Sequence, residues 1–316
     1  MGRKEALRPK SFRLKRPRTA RPLSEKELAI DHSRQNSPPL KPFLKWAGGK
    51  RQLLPEILKL LPNNIGDFKY YEPFLGAGAL FFELAPRRAA IGDHNQELVA
   101  AYRAIRDDVD ELVEALTEHQ ANHGEEYYYK VRELDRDGPA FGALSDAKRA
   151  ARLIYLNKAC FNGLYRVNSK GFFNVPFGRH AHPLICDEHN LRRIHRLLNR
   201  KDAEIEILGL DFEAAVASAG PGSFVYFDPP YHSPNKANFT DYQAGGFDES
   251  EQRRLRDVFA ARAKAGALCL LSNSDAPFIR QLYGRFEIVP VKAKRAINSD
   301  KTGRGEVGEV LVKNWK

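Results

Sequence analysis

The residues best able to do chemistry stand in "FVYFDPPYHS", residues 224–233, where a run of β-forming side chains stops at an acid, two prolines and a tyrosine. Neither helix nor strand continues comfortably through that junction. At a strand's carboxyl end, a rigid Asp228-Pro229-Pro230-Tyr231 turn gathers a carboxylate, a proline-flanked carbonyl and an aromatic face into one small space. Together they suit an amino group on a flat ring. The exocyclic amine of adenine is a poor nucleophile because its lone pair is delocalised into the purine. Two acceptors, the Asp228 carboxylate and the Pro229 carbonyl, can take its two N–H groups and favour a geometry that localises that pair. Tyr231 would then stack on the base, an interaction worth about 1–3 kcal/mol. The plainer alternative is a tight turn with no chemistry.

A second signal is "YYEPFLGAGALFFEL", residues 70–84: a strand ending at Glu72, then Gly76 and Gly78 permitting a tight turn, then a helix. Asp93 closes the next strand in "IGDHN", where an acid can accept two hydrogen bonds from a ribose diol. A dinucleotide fingerprint would need a third glycine, and Phe81 stands in its place, which points to a nucleoside without phosphates. An ordinary glycine turn beside an aspartate helix cap is the competing explanation. "PFLKWAGGKRQLLPEIL", residues 42–58, contains Gly-Gly-Lys before a helix but fails as a phosphate loop. It lacks the first glycine, and Arg51 replaces the magnesium-binding Ser or Thr. Trp46, two glycines and Lys50 remain, suited to lining a pocket for a carboxylate or an aromatic base, unless Trp46 is simply buried beside a turn.

These segments need a scaffold, and the pattern from residue 42 onward provides one. "KYYEP", "RAAIGD", "AEIEIL", "SFVYFD", "ALCLLSN" and "FEIVPV" read as strands with amphipathic segments between most of them, which predicts a largely parallel α/β sheet. Helical periodicity dominates from about 97 to 200, broken by "FNGLYRVNSKGFFNVPFG", whose Asn-Ser-Lys-Gly step predicts a hairpin turn. The expected organisation is a sheet domain over 40–96 and 201–316 with a second lobe, 97–200, inserted in it.

Composition narrows the class further. The net charge of +11 is unevenly spread, because residues 1–39 carry eleven Lys or Arg against four acids and hold +7 of it. That Arg, Pro and Ser-rich tail is expected to be disordered, either as a solubilising extension or as a nucleic-acid contact. No segment approaches the roughly 20 apolar residues of a membrane span, and no secretory signal opens the chain, so a cytoplasmic protein is expected. Cys160, Cys186 and Cys269 form no CxxC pair, and no histidine sits in a ligand-like pair with an acid, so neither a disulfide framework nor a metal site is expected.

"PFLKWAGGKRQLL", "YEPFLGAGALFFEL", "GDHNQELV", "YLNKACFNGLYRVNSKGFFNVPFG", "VYFDPPY", "NFTDY" and "LLSNSD" occur in an order and spacing that resemble the Dam-type DNA adenine N6-methyltransferases, the D12 class, over about residues 41–315. The resemblance implies a Rossmann-like, S-adenosylmethionine-dependent methyltransferase sheet with an inserted, mainly helical DNA-recognition lobe carrying a β-hairpin. It implies that Phe43, Trp46, Gly48, Gly49 and Lys50 border S-adenosylmethionine. Glu72, Pro73, Phe74, Gly76 and Gly78 would form the loop under it, Asp93 would bind the ribose, and Asp211 and Phe212 in "GLDF" would flank its adenine. Asp228, which also borders the cofactor, with Pro229, Pro230 and Tyr231 would be the catalytic turn. The target, by the same resemblance, is adenine N6 flipped out of double-stranded DNA, commonly within GATC. Arg166, Asn168, Lys170, Asn174, Pro176 and Arg179 would contact bases and phosphates. A monomer or weak dimer acting in a restriction-modification or related setting is expected. Three rivals bear on this reading: a DNA-binding module that has lost its cofactor, an RNA acceptor, and a protein glutamine acceptor. In the glutamine enzymes the turn resembles Asn-Pro-Pro-Tyr, so Asp228 argues against that choice.

Overall fold

A computed structural model describes residues 40–46, 52–232, 247–293 and 307–316. The basic tail, Gly48, Gly49, Lys50 and the "NFTDY" segment lie outside the described residues. Seven strands form one sheet: β1 (Lys69–Glu72), β2 (Arg88–Gly92), β3 (Glu204–Leu208), β4 (Ser223–Phe227), β5 (Leu268–Ser274), β6 (Glu287–Ala293) and β7 (Val307–Lys313). Their spatial order is β3-β2-β1-β4-β5-β7-β6. Neighbours from β3 through β5 pair in parallel, whereas β7 runs antiparallel to both β5 and β6. The six sequence-predicted strands all occur. The seventh, β7, had no counterpart in the sequence reading.

Strand composition explains the layering. All five residues of β4 are buried, as expected for a central strand covered on both faces. Its alternate side chains serve two cores. Phe224 and Tyr226 join Tyr70, Leu270 and Leu311 on one face, while Val225 and Phe227 join Tyr71, Leu271, Phe259 and Tyr283 on the other. Eleven α-helices occur among the described residues, beginning with α1 (Leu54–Leu60). Single helices connect most strands: α2 (Ala79–Leu84) follows β1, α9 (Phe212–Ala215) follows β3, α10 (Glu249–Lys264) follows β4 and α11 (Pro277–Leu282) follows β5.

Between β2 and β3 the chain instead forms six helices, α3 (Gln96–Asp107), α4 (Val109–Ala121), α5 (Glu125–Glu133), α6 (Gly138–Gly142), α7 (Asp146–Ala159) and α8 (Glu188–Leu198). Asn95, Ser145 and Asp187 cap α3, α7 and α8, each side-chain oxygen accepting a first-turn amide. Helix α7 is buried on nearly every side and packs against α3 and α4, so it is the axis of this group. Its core runs continuously into the sheet through Tyr70, Tyr226 and Leu270.

Where the sequence predicted a hairpin turn, the arms pair outside any named strand, Asn168 N donating to Phe172 O and Asn174 N to Arg166 O. Gly171 N donates to Asn168 O at 2.9 Å, and Val167 and Phe173 form an isolated antiparallel bridge. The segment returns to the end of α7, where Phe161 N donates to Pro176 O and Gly178 N to Ala159 O. Gly178 is required there, because a Cβ would collide with the Cys160 carbonyl.

The helical group also carries an acid-sensitive point. His119 stacks on Tyr155 with centroids 4.9 Å apart and hydrogen-bonds the Tyr127 hydroxyl at 2.9 Å. Burial, helped by the Arg152 charge, pulls its pKa down to about 4. The unfolded chain therefore binds a proton that the folded chain refuses between about pH 6.5 and 4, and stability falls as pH drops through that window. His119→Phe is expected to remove on the order of 2 kcal/mol from the stability difference between pH 7 and pH 5, measured by urea unfolding. Equal pH dependences in the two proteins would refute this assignment.

Candidate functional site

The order of strands reverses between β1 and β4, and an α/β sheet presents ligands in the crevice at the carboxyl ends of such a pair. Glu72 ends β1 and Asp228 follows β4. Glu72 is buried and accepts from the Tyr70 hydroxyl at 2.7 Å. Burial raises its pKa well above the usual carboxylate range, and the Asp228 charge adds to the rise. A cation entering this crevice would favour the ionised form of Glu72.

Asp93 organises the loop after β1. Its Oδ2 accepts from Gly76 N and its Oδ1 from Asn95 N, each at 3.0 Å, tying the β1 loop to the end of β2. Burial nonetheless raises the Asp93 pKa, the amide bonds from Asn95, Gly76 and His94 opposing that rise. With three amides on its two oxygens, the carboxylate keeps only part of its acceptor capacity, room for a ribose hydroxyl. Gly76 adopts φ +50°, and a Cβ there would lie 2.9 Å from Trp46 Cδ1, so the loop needs glycine to approach that ring. Trp46 also stacks on Tyr165, centroids 5.3 Å apart. Phe43 is a core residue, edge-on to Tyr102, whose hydroxyl donates to Gly76 O at 3.1 Å. Pro73 is buried beneath the same loop, and Gly78 occupies the cap position of α2.

An aromatic cluster flanks this cradle. Phe74 stacks on Phe212 with centroids 5.3 Å apart, and Phe247 meets Phe74 edge-on at 5.7 Å. Asp211 caps α9 and takes a two-pronged ion pair from Arg254, at 2.8 and 2.7 Å. That guanidinium holds the Asp211 carboxyl below its ordinary pKa and lies 4.1 Å over the Phe212 ring. The apolar surface here is thus Phe74 and Phe212, with Asp211 committed to Arg254.

The turn after β4 is held by side chains from three other elements. Ser272 Oγ donates to Asp228 Oδ1 at 2.7 Å, and the Tyr226 hydroxyl lies 3.2 Å from Ser272 Oγ. Gln252 Nε2 donates to Pro230 O at 2.9 Å. Among the described residues none donates to the Pro229 carbonyl. Tyr231 donates its hydroxyl to Glu309 on β7 at 2.8 Å, so its ring is anchored at the far end, and burial raises its pKa well above that of free tyrosine. Gln252 and Glu309 escaped the sequence reading, and Ser272 and Asn273 entered it only within "LLSNSD", with no role, since a polar residue in a strand or helix carries no local sign that it faces a site.

The six residues expected to touch DNA divide into two groups, bonded within the turn or exposed beside it. Arg166 Nε donates to Asn174 Oδ1 at 2.7 Å and its Nη2 to Asn174 O at 3.3 Å, so these two staple the turn to itself. Asn168 Oδ1 accepts from Lys170 N and Phe172 N, shaping the turn. Lys170, Pro176 and Arg179 are exposed. Close by, an open cleft of about 390 Å³ is lined by Lys45, Lys158, His180 and His182 among others, basic side chains suited to phosphate. Among the described residues no group of His, Cys, Asp or Glu is arranged to hold a metal ion, and no helix is long and apolar enough to cross a membrane.

The sheet order and a strand-end acid cluster beneath a glycine loop are consistent with a methyltransferase fold. Residues 46–297 match the model of the D12 class N6 adenine-specific DNA methyltransferases, and the chain belongs to that family. It is 46% identical over 277 residues to the Type II methyltransferase M1.LlaDCHI of Lactococcus lactis subsp. cremoris, covering 87% of this chain and 96% of that one. It is 41% identical over 294 residues to the Type II methyltransferase M.MjaIII of Methanocaldococcus jannaschii, covering 87% and 99%. Against the DNA adenine methylase of Escherichia coli K12 it is 34% identical over 274 residues, covering 85% and 94%. The chain is accordingly an adenine-specific DNA methyltransferase, of a family that uses S-adenosylmethionine.

Proposed function

We propose that this chain transfers a methyl group from S-adenosylmethionine to N6 of an adenine flipped out of duplex DNA, within GATC or a related site. The observation that carries the reading is the placement of Asp228 and the Pro229 carbonyl at the end of β4, across the sheet's switch point from Glu72. When bound, S-adenosylmethionine supplies a methyl group on a positively charged sulfur. The residues of the crevice suit that group: Glu72 and Asp228 for its positive charge, Asp93 for its ribose, Phe74 and Phe212 for its adenine, and Trp46 beside the glycine loop. Gly48, Gly49 and Lys50 belong to the same proposal by sequence alone.

Asp228 and the Pro229 carbonyl accept the two N–H groups of the target amine and orient its lone pair toward the methyl carbon. Tyr231 offers its ring to the flipped base, whose extraction costs a few kcal/mol that stacking and groove contacts offset. The helical group over 97–200 serves as the recognition lobe, with Lys170, Arg179 and the basic cleft on phosphates and the Arg166–Asn174 turn presenting its edge to the bases. A monomer or weak dimer acting on cytoplasmic DNA completes the proposal, and the tail adds non-specific DNA affinity.

Sequencing modified positions in DNA from a methylation-null host expressing this chain is expected to show N6-methyladenine at one short recurring site, GATC or a close variant. Label on cytosine, on RNA alone, or nowhere would overturn the proposal.

A further inference from the structure

Two consecutive prolines leave residues 229 and 230 without backbone donors, so the turn cannot be held by its own amides. Three fully buried polar side chains do that work. Ser272, Asn273 and Gln252 each show no exposure. Burying such groups is costly unless they are hydrogen-bonded, and here their bonds converge on one turn. Ser272 has a single proton and donates it to Asp228 Oδ1, which makes the Tyr226 hydroxyl the donor in its own contact with Ser272. Gln252 Nε2 holds Pro230 O, and Gln252 Oε1 accepts from Asn273 Nδ2 at 3.0 Å. Asn273 Oδ1 in turn accepts from His232 N at 3.1 Å, and Ser274 Oγ donates to His232 O at 2.8 Å. Tyr231 is therefore bracketed on both sides, while its hydroxyl is fixed by Glu309.

We propose that Ser272, Asn273 and Gln252 are positioning residues for methyl transfer. Ser272 sets the orientation of the Asp228 carboxylate, and the Gln252–Asn273 pair fixes the backbone on either side of Tyr231. The proposal rests on the reading of Asp228 as the acceptor of the target amine. None of the three touches the reacting atoms, and small displacements of a reacting group cost rate steeply.

The test compares Ser272→Ala with Tyr226→Phe in the full-length protein. Each removes one buried hydroxyl from the same chain of bonds, but only the first removes the donor to Asp228. Ser272→Ala is expected to slow single-turnover methyl transfer by about thirtyfold or more, with dissociation constants for S-adenosylmethionine and duplex DNA within about threefold of the unaltered protein. Tyr226→Phe is expected to stay within about threefold in rate. Equal rate losses in the two variants, or an unchanged rate for folded Ser272→Ala, would overturn the assignment and leave Ser272 a purely structural residue. If Ser272→Ala does not fold, Gln252→Met serves in its place, with a loss of about tenfold expected and an unchanged rate overturning the proposal. An unaltered protein that transfers no methyl group would overturn the reading of Asp228 itself, and the positioning role with it.

Discussion

Asp228→Ala is expected to lower single-turnover methyl transfer by about a thousandfold or more while binding S-adenosylmethionine within a few-fold of the unaltered protein. The large effect follows from where the carboxylate acts. Its hydrogen bond to the amine strengthens as nitrogen takes on positive charge, so its loss falls on the transition state rather than on ground-state binding. Asp228→Asn keeps one acceptor oxygen and the bond from Ser272, and an intermediate loss of about thirtyfold is expected. Two opposed effects act on folding: removing the Asp228 charge relieves a like-charge repulsion on Glu72, but it leaves the buried Ser272 hydroxyl without its acceptor, so the variant should unfold within about 5 °C of the unaltered protein. Labelled-methyl transfer to duplex DNA, calorimetric cofactor titration and thermal melts separate these outcomes. Near-normal turnover in Asp228→Ala would remove the residue from the chemistry.

Arg152→Ala should cost about 3 kcal/mol of folding stability, the penalty for breaking a buried ion pair and emptying the space the guanidinium fills. The Arg152 side chain is 2% exposed. It donates from Nε to Val131 O at 2.9 Å and from Nη2 to Arg132 O at 2.7 Å, and pairs with Asp135 at 2.8 Å. Asp135 also accepts from Phe173 N at 2.9 Å, so the same carboxylate anchors the turn expected to meet DNA. The substitution therefore removes one of the two guanidiniums that hold Asp135, leaving Arg136 at 3.0 Å, and loosens the turn with it. Arg152→Met combined with Asp135→Leu removes both charges and should recover much of the stability without restoring discrimination between the preferred site and single-base variants. Urea unfolding and competition methylation assays measure the two effects. A loss below about 1 kcal/mol in Arg152→Ala would show that the pair is not isolated from solvent as the packing indicates.

The sheet was legible because its central parallel strands are buried on both faces and read as apolar runs punctuated by Gly, Pro and Asp, as in "SFVYFDPP", while the edge strand β3 alternates Glu and Ile. Strand β7 was missed although Val310, Leu311 and Val312 form such a run. Gly308 and Glu309 open it, and Glu309 is a buried acid whose partner, Tyr231, lies 78 residues away. Long-range pairing of this kind leaves no local signature. The same limit applies to Tyr165, whose ring reaches Trp46 and whose hydroxyl reaches Glu97 at 3.1 Å. Arg166 illustrates the converse. Its type and place beside a turn suggested a base contact, and only the folded turn shows that two of its donors, Nε and Nη2, also bond Asn174.

Strand β7 lies between β5 and β6 in space but follows both in the chain. During synthesis, which proceeds from the amino terminus, β5 stays an open edge and β6 has no neighbour to join until β7 emerges. Glu309 arrives with that strand, so Tyr231 of the Asp-Pro-Pro-Tyr turn is secured only once β7 has been made. A nascent or prematurely terminated polypeptide ending before Val307 is consequently left with an unfinished turn and an unprotected sheet edge, a substrate for chaperones and proteases rather than an enzyme. Partial products should thus leave no stray marks on the DNA of the cell that makes them.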